Sequence, residues 1–279
     1  MKTVRRITEL RAALAEVRAM GRSVGFVPTM GALHQGHASL LRKAQERGDY
    51  VVLSIFVNPL QFGPNEDLSS YPRDEAGDLA AAEAAGVDLA FLPSVEEMYP
   101  PGRATTVSVS APAWPLEGAA RPGHFEGVAT VVAKLFNLVQ PDRAYFGQQD
   151  AQQVAVINTM TRDLSFPLDV VVCPTVREAD GLAMSSRNAY LQPPERAIAT
   201  TLWQALQAGR DVIGHGASWE VAEKTMESLI GEVDGIELEY ARAVDPDSFE
   251  SPTAGGPILL VIAARVGRTR LIDNVLVER

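Results

Sequence analysis

Residues 23–57 read "SVGFVPTMGALHQGHASLLRKAQERGDYVVLSIFV", and their patterning decides the fold. An apolar strand-like run at 23–29 leads into a helix-like stretch at 37–48, and "YVVLSIFV" follows at 50–57. That last run is apolar on both faces, as a central strand of a parallel sheet is. Strand, crossover helix and buried strand together make a βαβ unit. The first strand hands over to the helix through "PTMGALHQGH", residues 28–37, which carries two of the four histidines in the chain.

The alternation extends outward from this unit. Residues 1–20 read as an amphipathic helix, without the apolar core or small-residue cleavage site of a signal peptide. "PRDEAGDLAAAEAAG" (72–86) reads as a helix and "VDLAFLP" (87–93) as a strand. "TTVSVS" (105–110) alternates like a peripheral strand or hairpin arm. "GVATVVAKLFNLV" (127–139) is apolar almost all round and predicts a deeply buried helix. "RAYFG" (143–147), "DAQQVAVINTMTRDL" (150–164) and "LDVVVCPT" (168–175) read as strand, helix and strand. The expected fold is α/β: a doubly wound, Rossmann-like parallel sheet over residues 1–175, with ligands at the carboxyl ends of its strands. Beyond residue 176 come helices near 193–212 and 218–232, then three strand-like runs. They predict a smaller α+β domain, 176–279, with a short antiparallel sheet that closes over a cleft.

Composition narrows the function. The 279 residues are 46% hydrophobic and 22% charged, ordinary for a globular protein, with no apolar run of membrane-spanning length. A net charge of −10 argues against a surface that tracks nucleic-acid phosphates. Cys173 is the single cysteine, which excludes an internal disulfide framework and fits a reducing, cytoplasmic location. Its apolar neighbours predict a small buried side chain.

The loop at 28–37 has two readings. Gly31 and Gly36 permit close backbone approach, and a helix beginning near His37 offers free N–H groups and a positive dipole end to an anion. His34 and His37 then face one side, as donors to charge developing in phosphoryl or adenylyl transfer. The plainer reading is a βα turn with two solvated imidazoles. The loop has neither Walker A nor GxGxxG spacing.

Longer motifs decide between them. "PTMGALHQGH" resembles the HIGH-type motif of the nucleotidyltransferases that include class I aminoacyl-tRNA synthetases. "SIFVNPLQF", "RPGHFEGVATVVAKLFNLVQPDRAYFG" and "PTVREADGLAMSSRNAYL" resemble, in order, the pantothenate synthetase (pantoate–β-alanine ligase) family, and "LLVIAARVGRTRLIDN" does so more weakly. The resemblance implies ATP-dependent joining of pantoate to β-alanine through pantoyl adenylate, releasing pyrophosphate and then AMP. It implies ATP as substrate, Mg²⁺ on the triphosphate with no dedicated protein metal site, a homodimer, and neither nucleic acid nor membrane as partner.

By resemblance, ATP meets Met30, Gly31, Ala32, Leu33, His34, Gln35, Gly36 and His37, then Gly147, Gln148, Gln149 and Asp150. Val176 contacts its adenine or ribose. Met184, Ser185, Ser186 and Arg187 form the family's version of the KMSKS loop at the β- and γ-phosphates. His34, His37 and Arg187 are the implied catalytic residues. Gln61 and Gln153 hold pantoate with help from Asn58, and Gln61 later faces β-alanine. Arg121 and His124 either line the same pocket or serve packing and a surface salt bridge, while His215 reads as a helix-end residue. One departure stands out: the family pattern has a lysine where this chain has Gln149. Two other functions stay open beside the ligase. One is a nucleotidyltransferase making a dinucleotide or CDP-alcohol, and the other is a nucleotide-binding protein whose catalysis went with the lysine.

Overall fold

The 23–57 stretch folds as the βαβ unit its pattern predicts. The computed structural model describes residues 1–64, 66 and 68–277. In chain order, β1 (Lys2–Val4), α1 (Ile7–Ala19), β2 (Val24–Thr29), α2 (Gln35–Glu46) and β3 (Tyr50–Ile55) come first. Then follow α3 (Glu75–Ala84), β4 (Leu89–Phe91), α4 (Val95–Met98), α5 (Glu117–Ala120), α6 (His124–Val139), β5 (Arg143–Gly147), α7 (Ala151–Asp163) and β6 (Asp169–Cys173). The strands form one parallel sheet in the order β1-β4-β3-β2-β5-β6. The β2–β3 register runs from Val24↔Tyr50 to Thr29↔Ile55.

Pleat alternation sorts the side chains between two layers. Val27, Leu53 and Tyr145 pack with Leu40, Leu41 and Ala44 of α2 and Ala82 of α3. On β5 the next residue, Phe146, turns to the opposite face and meets Phe136 of α6 edge-on, centroids 6.4 Å apart. Twelve of the sixteen residues of α6 are buried, as its all-round apolar pattern requires.

The sequence continues from β2 to β3 on one side and later to β5 on the other. The strand order therefore reverses between β2 and β5, and ligands of such sheets bind at the carboxyl ends beside that reversal.

Four local expectations need correction. Lys2–Val4 is a strand ahead of α1, because Val4 is buried and pairs with Phe91 of β4. Residues 105–110 join no sheet, and the Val107 N–H donates to Thr130 Oγ1 instead. The helix read at 37–48 starts two residues earlier, at Gln35, because His34 caps it. The helical stretch at 193–212 is broken, into α8 (Pro193–Ile198) and α9 (Thr201–Gly214).

By its contacts the chain forms two units, Met1–Gly147 with Val156–Cys173, and Gln148–Ala155 with Pro174–Arg279. In the second, α9 and α10 (Trp219–Gly231) lie on an antiparallel sheet of β7 (Ile236–Val244), β8 (Ile258–Val266) and β9 (Thr269–Val277), ordered β7-β8-β9. Leu202, Leu206, Met226 and Ile230 from the helices fill its core against Leu260 and Ile262 of the central strand.

Candidate active site

The loop behind β2 is held in a backbone shape that few residues adopt. Gly31 has φ +87 and Ala32 has φ +51. A Cβ at Gly31 would lie 2.7 Å from Asp78 Oδ2, so only glycine fits. Asp78, buried on α3, accepts from the Ala32 N–H at 3.0 Å and from the Leu33 N–H at 2.7 Å. One carboxylate thus pins two successive peptides of the loop.

The histidines follow from that geometry. His34 caps α2, its Nδ1 accepting from the Gly36 N–H at 3.1 Å. His37 Nδ1 accepts from the His34 N–H at 3.2 Å. Main-chain donors occupy both Nδ1 atoms, so each neutral ring carries its proton on Nε2. Burial lowers the pKa of His34. His37 is pushed down to about 3, first by burial and then by His34. The rings lie tilted by 40° to each other, with centroids 4.1 Å apart. Two adjacent, uncharged Nε2–H donors stand at the sheet's reversal point, with Gln35 exposed between them on the first turn of α2.

Beside the loop, Asn58 and Gln61 bracket a short 3₁₀ turn after β3, Pro59–Gln61. Asn58 Nδ2 donates to Gln61 Oε1 and to the Gly127 carbonyl, both at 3.0 Å. Its Oδ1 accepts from the Leu60 N–H at 3.2 Å and from the Tyr99 hydroxyl at 2.9 Å. Asn58 is 1% exposed and its hydrogen-bonding capacity is full, so its open role is to aim Gln61. Gln61 Nε2 then meets the Met30 sulfur at 3.0 Å, which joins the two loops. Gly127 lets α6 come this close, since a Cβ there would sit 2.3 Å from the Leu60 carbonyl oxygen.

Arg121 and His124 support the same turn from behind. Arg121 forks onto Glu66 with two bonds of 2.7 Å and reaches His124 Nε2 at 3.1 Å. His124 Nδ1 donates to the Gln61 carbonyl at 2.8 Å. Burial, then Arg121, pushes His124 down to about 4, which suits a neutral ring with both nitrogens committed.

The remaining expected residues lie on other elements. Gly147 ends β5, and Gln148, Gln149 and Asp150 form a 3₁₀ turn leading into α7, where Gln153 is half-buried. Gln149 Nε2 donates to the Ile272 carbonyl at 2.6 Å, while its buried Oε1 has no hydrogen-bond partner among the described residues. Val176 and Met184 face each other across a hairpin, the Met184 N–H donating to the Val176 carbonyl at 2.9 Å. Ser185 caps the 3₁₀ turn Ser186–Tyr190, its hydroxyl accepting from the Arg187 N–H at 3.2 Å. His215 ends α9 with Nδ1 on the Asp211 carbonyl at 2.7 Å, as a helix-end residue does. Cys173 is buried.

Asp78 was invisible to motif reading, since its partners lie 45 and 46 residues away. The available signal was an acid four residues before Ala82 on the buried face of α3.

A doubly wound parallel sheet with imidazole donors beside its reversal point defines a nucleotide-binding α/β class. The chain belongs to the pantoate–β-alanine ligase family, whose model matches residues 2–276. A pantothenate synthetase of Acidobacterium capsulatum is 53% identical, over 99% of this chain and 97% of its own. That of Moorella thermoacetica is 51% identical over 100% and 99%. The crystal structure of the Thermus thermophilus pantothenate synthetase superposes with a TM-score of 0.93 at 50% identity, covering all of both chains. A Francisella tularensis pantoate–β-alanine ligase, solved with βγ-ATP and β-alanine, gives 0.82 at 34% identity over 100% and 98%.

Proposed function

We propose that this chain condenses pantoate with β-alanine at the expense of ATP, through pantoyl adenylate. A pantoate carboxylate oxygen attacks the α-phosphorus, the bond to the bridging oxygen breaks, and pyrophosphate leaves. The β-alanine amine then attacks the acyl carbon, AMP departs with the carboxylate-derived oxygen, and the amine loses a proton as the amide forms. The observation that carries this reading is the pair of neutral Nε2–H donors on His34 and His37, which add positive potential without demanding a proton.

Roles follow residue by residue. ATP is assigned to Met30–His37, Gly147–Asp150, Val176 and Met184–Arg187, with Arg187 as the guanidinium for the outer phosphates. Pantoate is assigned to Gln61 and Gln153, and Gln61 later faces β-alanine. A protonated Nε2 cannot ligate a cation, and both Asp78 oxygens are engaged, so the histidine loop suits phosphate oxygens better than a metal. Mg²⁺ is therefore assigned to the triphosphate, where it neutralises charge.

A homodimer is part of the proposal, supported by β6, whose outer edge has no partner strand among the described residues and where Val172 is exposed. Sedimentation tests it. A cytoplasmic location rests on the single free thiol. No helix among the described residues is long and apolar enough to cross a membrane. Full-length relatives named for the ligase reaction disfavour both the other nucleotidyltransferases and a catalytically silent binder. The test is product analysis with ATP, pantoate and β-alanine. Stoichiometric AMP, pyrophosphate and amide support the ligase, whereas ATP binding without pyrophosphate supports the silent binder.

A further inference from the structure

The strand β9 carries a buried pair, Asp273 and Asn274, each 4% exposed, that grips two chain segments far apart in sequence. Asn274 Nδ2 donates to two successive carbonyls, Gln148 at 2.9 Å and Gln149 at 3.0 Å. Its Oδ1 accepts from Gln148 Nε2 at 3.2 Å. Asp273 takes Arg177 in a two-point fork of 2.6 and 2.9 Å. Arg177 also donates to the carbonyls of Gly181 and Asn274, and its guanidinium lies 3.6 Å over the Trp203 ring. The Asn274 N–H closes the pair onto Asp273 Oδ1 at 2.7 Å.

A trans peptide points its N–H opposite to its C=O. Drawing the Gln148 and Gln149 carbonyls toward β9 therefore turns the N–H groups of Gln149 and Asp150 away from it, at the start of α7. Backbone donors so oriented suit phosphate oxygens. They matter more in a chain that carries Gln149, whose own amide is committed to Ile272. Arg177 meanwhile fixes the hairpin whose second arm, bridged at Ala183, runs into Met184–Arg187.

We propose that Asn274 and Asp273 are positioning residues for adenylyl transfer: Asn274 sets the peptide planes of the 148–150 turn, and Asp273, through Arg177, sets the hairpin that carries Met184–Arg187. This rests on the assignment of both segments to ATP. Asn274→Asp keeps the shape but removes both protons and sets carboxylate oxygens against two carbonyls.

The test measures both half-reactions in Asn274→Asp, with calorimetry of a non-hydrolysable ATP analogue. Expected are a loss of analogue affinity and of pyrophosphate-release rate of about tenfold or more. The KM for pantoate and the aminolysis of supplied pantoyl adenylate stay within about twofold of the parent, the scatter of surface changes. Unchanged ATP affinity in a folded variant overturns the proposal. So does an equal fall in both half-reactions, which marks a merely structural role. If Asn274→Asp does not fold, Arg177→Lys, which keeps the charge and loses the fork, must show the same split, and its absence overturns the proposal. Should the parent chain bind the analogue but release no pyrophosphate, the ligase reading fails while the affinity comparison still decides the role of Asn274.

Discussion

At the scale of single residues, the chemistry reduces to which atoms carry protons. His34 and His37 use Nδ1 as acceptor, so each neutral ring carries its proton on Nε2. The expected outcome of long-range ¹H–¹⁵N spectra on the free protein is the Nε2–H form of His37 at pH 6, far above its value of about 3. An imidazolium signal there contradicts the arrangement. His37→Ala should cut the rate of pyrophosphate release by about 10²–10³-fold while the protein stays folded. His37→Gln, whose Nε2 lies nearest the lost donor, should recover part of that loss. Gln149→Lys removes a buried oxygen that has no partner among the described residues and adds charge, and should quicken the first half-reaction by about tenfold or more. An unchanged rate means that another group already supplies the potential. The histidines and Gln61 were legible because they sit in continuous motifs. Asn58 was legible only as a neighbour, since its saturation depends on Tyr99 and Gly127, distant in sequence.

At the scale of elements, α3 holds the nucleotide loop through Asp78. Asp78→Ala frees the Ala32 and Leu33 N–H groups, and Gly31→Ala forces a Cβ into the carboxylate at a positive φ. Both should weaken ATP binding more than pantoate binding. Gly31→Ala should also cost about 1–3 kcal/mol of folding stability, measurable by urea titration. Equal stability with normal ATP affinity would show that the loop does not need this shape. The sheet itself was readable from the sequence because β2, β3 and β5 are continuous apolar runs with both faces covered. Residues 105–110 misled because alternation reports a half-buried face, and the Val107 N–H is satisfied by a helix side chain, Thr130, rather than by a strand. The short β1 was hidden because three residues give no period, and its pairing with β4 bridges more than eighty positions.

At the scale of the whole molecule, buried charge sets the acid limit of folding. Asp49 accepts from Tyr145 at 2.6 Å, from Ser23 at 2.9 Å and from Arg143, at the amino ends of β2 and β5. Burial opposes its charge, but hydrogen bonds from Arg143, Tyr145 and Ser23 prevail and hold the carboxyl below its ordinary value of 3.8. Its stabilisation is therefore complete above the unfolded-state value and is lost as pH falls through the lower folded value. His37 adds to the acid loss. The unfolded ring takes a proton as pH drops below 6.5 and the folded ring does not until about 3, so stability declines across that window. Urea midpoints should fall from pH 6.5 downward, and His37→Gln should flatten the upper part of that fall. An unaltered slope in the variant would remove His37 from the linkage.

In the proposed reaction a carboxylate of the hydroxy acid attacks the α-phosphorus of ATP. Pantoate labelled with ¹⁸O in its carboxylate, turned over with ATP and β-alanine, tests it directly by mass spectrometry of the nucleotide product. The expected result is AMP carrying one ¹⁸O and pyrophosphate carrying none. Unlabelled AMP, or label in inorganic phosphate beside ADP, would contradict it.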